Sequence, residues 1–260
     1  MREDRVQADT SSYNSLIHSA AKRNDMAGAT RYFDMMVGEG VAPDVMTYST
    51  IMNGFSRNLQ PEKAASWLLR MLEQGLRPTV PSYNTTISGY AKKGLATESE
   101  AWFVAMVQSC LTPDVLTYSS LLNCYAKRGD VAGADVWIRR MRFVGVVPNL
   151  VSYGAVLNAH ADVGDPDGAR RYLSGLMELD IRPDVVMWTS LLRACLRARP
   201  QTPSLAELAI REMVAHGQRP NSVTLETLER AVGLQRCTEL CSELGLERRQ
   251  ESFPQHARRD

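Results

Sequence analysis

The chain has 260 residues, 44% apolar and 23% charged, and its Lys and Arg (30) nearly balance its Asp and Glu (29). This is enough apolar content to bury a core, which argues against disorder, and the balanced charge announces neither nucleic acid nor an anionic membrane, so any such partner must be argued from local patterning. No run approaches the roughly 18 apolar residues of a membrane span, and Met1-Arg2-Glu3-Asp4-Arg5 has no apolar signal core behind it, so the chain reads as soluble, with no membrane partner.

In chain order, Val6-Gln7-Ala8-Asp9 reads as the end of an earlier repeat, and residues 1–9 are expected to be that end or an N-terminal tail. From Thr10 the sequence repeats every 35 residues: Tyr13, Tyr48, Tyr83, Tyr118, Tyr153 and Trp188 keep that spacing, as do Tyr32, Trp67, Trp102, Trp137 and Tyr172. Prolines form a third series at Pro43, Pro78, Pro113, Pro148 and Pro183, with Pro220 following after 37 residues. The three series define six units, 10–44, 45–79, 80–114, 115–149, 150–184 and 185–221. The last unit is two residues longer, and the surplus is assigned to Arg199-Pro200-Gln201-Thr202-Pro203, where two prolines lengthen a turn while the flanking helices keep their register. A degenerate unit at 222–247, with Leu225 and Leu228 in the aromatic and leucine places, is expected to cap the array. The polar stretch 248–260 is expected to be a disordered tail.

Within one unit the pattern is that of two helices. Tyr118, Leu121, Leu122 and Tyr125 fall at i, i+3, i+4 and i+7, one apolar helix face. Lys127-Arg128-Gly129-Asp130 supplies a turn, and Asp130 is placed to cap a second helix carrying Ala134, Trp137, Ile138 and Met141, which Val147-Pro148 stops. Asp165-Pro166 repeats the cap, with proline at the first helical position. Such a pair cannot bury both faces alone and must stack on its neighbours, so the expected fold is all-α, a right-handed superhelical α-solenoid of helix-turn-helix repeats. The five cysteines, Cys110, Cys124, Cys195, Cys237 and Cys241, are odd in number and scattered, and read as reduced, small core fillers.

Val115-Leu116-Thr117-Tyr118-Ser119-Ser120-Leu121-Leu122, with Met141 and the closing Val147-Pro148-Asn149, resembles the pentatricopeptide repeat in its 35-residue, P-type form, and the likeness runs from about Thr10 to Asn221. A tetratricopeptide array is also a stack of helix pairs, but its period is about 34 with an early Trp and Gly. The resemblance implies single-stranded RNA as partner, one base per repeat, read by the residue after the periodic Tyr together with the last residue of the same unit. The pairs so implied are Asn14 with Asp44, Ser49 with Thr79, Asn84 with Asp114, Ser119 with Asn149, Gly154 with Asp184, and Thr189 with Asn221. By analogy with the family, Asn with Asp favours U, Ser or Thr with Asn favours A, and a small residue with Asp leans to G. From N to C terminus, along RNA 5′ to 3′, this gives U, undetermined, U, A, weakly G, A. The residue two places before each periodic aromatic, Ser11, Met46, Pro81, Leu116, Val151 and Val186, is mostly apolar and corresponds to the family's wedge between bases. Lys22, Arg57, Lys92, Lys127 and Arg197 end the first helices, with Asp162 as the exception, and form a stripe suited to phosphates.

Each series has a second physical explanation. Terminal Asp and Asn residues also cap the following helix, Lys and Arg at helix ends also answer the dipole, and the Tyr and Trp series are core packing. His18, His160, His216 and His256 are dispersed, no zinc-deaminase signature is present, and Cys237 and Cys241 lack two further ligands. Without a Gly-rich phosphate loop or nucleophile elbow, the chain reads as a non-enzyme with no cofactor, no metal and no small-molecule substrate. The family likeness further implies a mitochondrial or chloroplast RNA factor, with other RNA-processing proteins as additional partners. A protein-binding helical scaffold and the RNA-recognition part of a larger enzyme are the alternatives.

Overall fold

A computed structural model describes residues 8–246. The expected N-terminal stretch up to Gln7, the last residue of the capping unit, Glu247, and the expected tail 248–260 lie outside the described residues. Among the described residues there are fourteen α-helices and no strand. They come in pairs: α1 (Thr10–Lys22) and α2 (Met26–Gly38), α3 (Val45–Arg57) and α4 (Pro61–Glu73), α5 (Val80–Lys92) and α6 (Ala96–Gln108), α7 (Val115–Lys127) and α8 (Val131–Phe143). α9 (Leu150–Val163) and α10 (Pro166–Glu178), α11 (Val185–Arg197) and α12 (Pro203–Ala215), and α13 (Ser222–Val232) and α14 (Leu234–Glu243) complete the set.

Caps fix where these helices begin. Asp9, Asp25, Asp44, Asp114, Asp130, Asp165, Asp184 and Asn221 each accept a bond from a backbone N–H in the first turn of the following helix. Pro61, Pro166 and Pro203 open α4, α10 and α12, where the missing N–H costs nothing. Most turns inside a pair hold three residues, such as 58–60 and 128–130, whereas 198–202 joins α11 to α12. The two surplus residues therefore sit at the proline pair, in a connection that contains the cis Arg199–Pro200 peptide.

The chain divides into two compact units, one up to Ala159 and one from His160. In the first, α1, α3, α5 and α7 pack side by side in chain order, and α2, α4 and α6 each lean on both their own partner and the next first helix. Tyr13, Tyr48, Tyr83, Tyr118 and Tyr153 are all buried, and Ala134, Trp137, Ile138 and Met141 form the expected inner face of α8. Burying one such aromatic side chain stabilises by about 1.5–3 kcal/mol. In the second unit α11 packs against α10, α12 and α13, around buried Trp188, Leu191, Leu192 and Ile210. Gly164, at φ +74°, is required there, because a Cβ on it would lie 2.7 Å from the Arg197 carbonyl.

The cysteine expectation needs one correction. Cys124, Cys195, Cys237 and Cys241 are buried, but Cys110 is exposed. It stands just after α6 with φ +58°, at the chain-reversal position that Gly40, Gly75 and Gly145 fill elsewhere.

Candidate nucleic-acid interface

Asp44 and Asp114, the last residues of the first and third 35-residue units, are the N-caps of α3 and α7, and the fold carries each back to the polar residue of its own unit. In the first unit of repeats, Asn14 Nδ2 donates to Asp44 Oδ1 at 3.3 Å. In the third, Asn84 Nδ2 donates to both Asp114 oxygens at 3.1 and 3.2 Å. A third residue closes the arrangement. Thr47 Oγ1 lies 2.6 Å from Asn14 Oδ1 and 2.8 Å from Asp44 Oδ1, and Thr117 Oγ1 lies 2.6 Å from Asn84 Oδ1 and 2.9 Å from Asp114 Oδ1. One hydroxyl proton serves one of those oxygens at a time, while the hydroxyl oxygen accepts the Asp44 or Asp114 backbone N–H at 3.1 Å.

The remaining pairs use shorter side chains. Ser119 meets Ser152 at 2.8 Å, and Ser152 Oγ donates to Asn149 Oδ1 at 3.1 Å. Thr189 meets Thr224 at 2.8 Å, and Thr224 Oγ1 donates to Asn221 Oδ1 at 2.8 Å. Thr79 contacts Ser82 at 3.2 Å, but Ser49 makes no side-chain hydrogen bond with the described residues. Gly154 has no side chain to offer, and Asp184 takes a bond from the backbone N–H of Met187, a residue without a hydroxyl. The bridging position just before the periodic aromatic is a third recurrent polar place in the sequence: Thr47, Ser82, Thr117 and Ser152 carry hydroxyls there, as does Thr224 before Leu225, while Met187 before Trp188 does not.

Exposure separates the members of a pair. Asn84 and Ser119 are only 4% and 3% exposed, and Asn14, Ser49, Gly154 and Thr189 are half-buried. Thr79, Asp114, Asn149, Asp184 and Asn221 are exposed, and Asp44 is half-buried. In most pairs the outward edge is thus the last residue; the inner one holds it directly in Asn84–Asp114 and through Ser152 or Thr224 in Ser119–Asn149 and Thr189–Asn221. Burial opposes ionisation of Asp44 and Asp114, but bonds from the backbone and hydroxyl of Thr47 or Thr117 and from Asn14 or Asn84 outweigh it and hold both carboxyls below the ordinary range. Ionised carboxylates are acceptors only, matching the imino N–H of U or G, whereas the amides of Asn149 and Asn221 both donate and accept, as the Watson–Crick edge of A requires.

Beside the pairs stand exposed apolar side chains. Met46, Leu116, Val151 and Val186 are 57–65% exposed, Pro81 is exposed, and Val223 continues the register at 58%. Val223 stands two places before Leu225, the residue in the aromatic place of the degenerate unit, so the register extends one step beyond the series that ends at Val186. Asn14, Asp44 and Met46 line an open groove of about 810 Å³ together with Ser15 and His18. Ser11 is exposed at its rim.

The cations of the expected stripe, Lys22, Arg57, Lys92, Lys127 and Arg197, are all exposed. Lys127 Nζ donates to the Lys92 carbonyl at 3.1 Å, which brings these two ends together. Arg197 behaves differently, for its guanidinium pairs with Asp162 at 2.7 Å. The second aromatic series is mixed: Trp67 and Trp137 are buried, while Tyr32, Trp102 and Tyr172 are half-buried. Among the described residues no group of three or more His, Cys, Asp and Glu could hold a metal ion.

Helix pairs at this spacing, with the polar pair bonded directly in two repeats and through a third hydroxyl in two more, define a helical-repeat protein of the pentatricopeptide kind. The chain belongs to that family: the PPR repeat family model matches residues 8–57, 43–92, 78–127 and 113–162, and the pentatricopeptide repeat domain model matches residues 173–235. Its fold is similar to that of the pentatricopeptide repeat protein PPR10 from maize, with 21% identity over 95% of this chain and 40% of that one, at a TM-score of 0.59. PPR10 in complex with an 18-nt psaJ RNA element gives 22% identity over 95% and 42%, at 0.57. The PPR domain of Arabidopsis thaliana protein-only RNase P 1 in complex with tRNA gives 16% identity over 68% of this chain and 93% of that one, at 0.58. The chain spans about two fifths of the length of the maize protein. Comparison with curated protein sequences gives no match.

Proposed function

We propose that this chain binds single-stranded RNA sequence-selectively, one base per repeat, and acts by occupancy in mitochondrial or chloroplast RNA metabolism: processing, stability, translation or editing. The observation that carries the reading is the Asn14–Asp44 and Asn84–Asp114 pairing beside exposed Met46 and Leu116. A bonded polar pair offers one base edge a fixed pattern of donors and acceptors, and the apolar neighbour separates that base from the next. Family membership and the likeness to proteins solved with RNA support the same reading. Lys22, Arg57, Lys92 and Lys127 supply the phosphate contacts, and the base series is U, undetermined, U, A, weakly G, A.

Selection from a randomised pool of short RNAs at two salt concentrations tests this directly. The expected result is enrichment of U, U, A and A at the first, third, fourth and sixth places, with affinity that falls as salt rises. Asn84→Ser combined with Asp114→Asn is expected to change the third base from U to A, a discrimination of about 1–3 kcal/mol. An unchanged third base would overturn the pairwise assignment, and a pool that emerges unselected would overturn the function.

A further inference from the structure

The connection that makes the sixth repeat longer than the others also shapes a cavity. About 530 Å³ in volume, it is lined by Arg193 and Arg197 of α11, Arg199 and Gln201 of the connection, and Thr227 and Arg230 of α13. Four arginines line one concavity in a chain whose charges nearly balance. Arg197 shares its charge with Asp162 at 2.7 Å, and Arg193 lies 3.8 Å from the same carboxylate. Arg199 and Arg230 are exposed and form no hydrogen bond or ion pair with another described residue. Two helix ends account for Arg197 and Arg230 singly, through the dipole. They do not account for Arg199, which lies outside any helix, nor for the hollow between them.

We infer that this cavity is a phosphate-binding site, holding a phosphate on the 3′ side of the RNA segment that the repeats read; the inference rests on the function proposed above. Its grip is sequence-independent: guanidinium groups form paired, charge-assisted bonds to phosphate oxygens, and Arg199 and Arg230 spend no donor on another described residue. Gln201 Nε2 donates to the Leu196 carbonyl at 3.3 Å, which orients the amide and leaves its second N–H for the anion. The hydroxyl of Thr227 is committed to the Val223 carbonyl at 2.7 Å and serves as wall, not donor. Arg197 belongs to the stripe legible in the sequence, whereas Arg199 is supplied by the longer connection and Arg230 by α13, which packs on α11.

The test uses the whole chain and three forms of one RNA carrying the expected bases: ending in a 3′-hydroxyl after the sixth base, ending there in a 3′-phosphate, or extended by two nucleotides. The 3′-phosphate and extended forms are expected to bind about tenfold more tightly than the hydroxyl form, and a preference for only one of them identifies the phosphate as terminal or internal. Arg199→Ala with Arg230→Ala is expected to erase that advantage, to lower the slope of log affinity against log salt by about 0.7 for each phosphate charge no longer neutralised, and to leave the selected bases unchanged. Both side chains are exposed, so an unchanged melting temperature shows that the fold is intact. Equal binding of all three forms by parent and variant would overturn the phosphate site while leaving base reading in place. If the parent binds none of these RNAs the function proposed above falls instead, and titration with inorganic phosphate then decides the cavity: movement of the Arg199 and Arg230 side-chain NMR signals supports it, and their silence overturns it.

Discussion

The repeats beginning at Thr10 and Val80 share a chemistry that those beginning at Val45 and Val115 lack. The first and third close on an Asn, an Asp and a Thr joined by hydrogen bonds; in the fourth Ser119 reaches Asn149 through Ser152, and in the second Thr79 bonds Ser82 while Ser49 stands apart. The core repeats the alternation. Phe33, Tyr48 and Trp67 make an aromatic cluster with Phe33–Trp67 centroids 4.7 Å apart and Arg70 over both rings, and Phe103, Tyr118, Trp137 and Arg140 make it again at 4.9 Å, each residue 70 positions further on. Two successive repeats therefore form the true structural period of the first compact unit, and its polar pairs follow the same rhythm as its aromatic ones.

The largest effect expected from this comparison is in the core. Trp67→Ala and Trp137→Ala remove equivalent buried rings and should each cost about 3–5 kcal/mol in urea unfolding. Trp102→Ala, in the same register, removes a half-buried ring whose aromatic neighbour, Tyr83, is 6.3 Å away, and should cost clearly less. Equal losses at all three positions would dissolve the alternation.

A smaller effect separates the polar pairs. Thr117→Val keeps the shape of a fully buried side chain but strands Asn84 Oδ1, itself buried, at a cost of about 1–3 kcal/mol. Ser82→Ala takes a hydroxyl from a site where Thr79 is exposed and Ser49 is not engaged, and should cost about 0.5–1.5 kcal/mol. Thr117→Val should also weaken the preference for U at the third base, since Asn84 and Asp114 lose the group that fixes their mutual orientation; RNA binding to each variant separates this from a purely structural loss.

Legibility followed the range of the interactions. Helix pairs, their caps and the location of the two surplus residues were all readable, because aromatic period, Asp-Pro caps and a proline pair act within a few residues. That Asp44 caps α3 was readable too, and the family likeness paired it with Asn14, but not that the two side chains bond to one another, a contact made only when α3 packs on α1. The same holds for the burial of Asn84 and Ser119, which depends on how closely neighbouring first helices approach. Arg230 gave no hint of sharing a cavity with Arg199, since the two come from different repeats and come together only where α13 packs on α11.

The smallest expected effect lies in the turns and works in the stabilising direction. The third repeat places Gly94 and the fourth Gly129 at the left-handed residue of the turn between its helices, with φ of +74° and +66°. The second repeat places Leu59 there, at φ +54°, with its side chain exposed. A Cβ in this region crowds the following carbonyl, at a cost of about 1–2 kcal/mol that glycine avoids, although glycine gives back part of the gain through its freer unfolded chain. Leu59→Gly should therefore stabilise by about 0.5–1 kcal/mol, read as a rise in the urea midpoint with an unchanged slope. A fall in the midpoint would mean that Leu59 covers apolar surface worth more than its backbone strain, and that the second repeat is distinguished by its turn as well as by its polar pair.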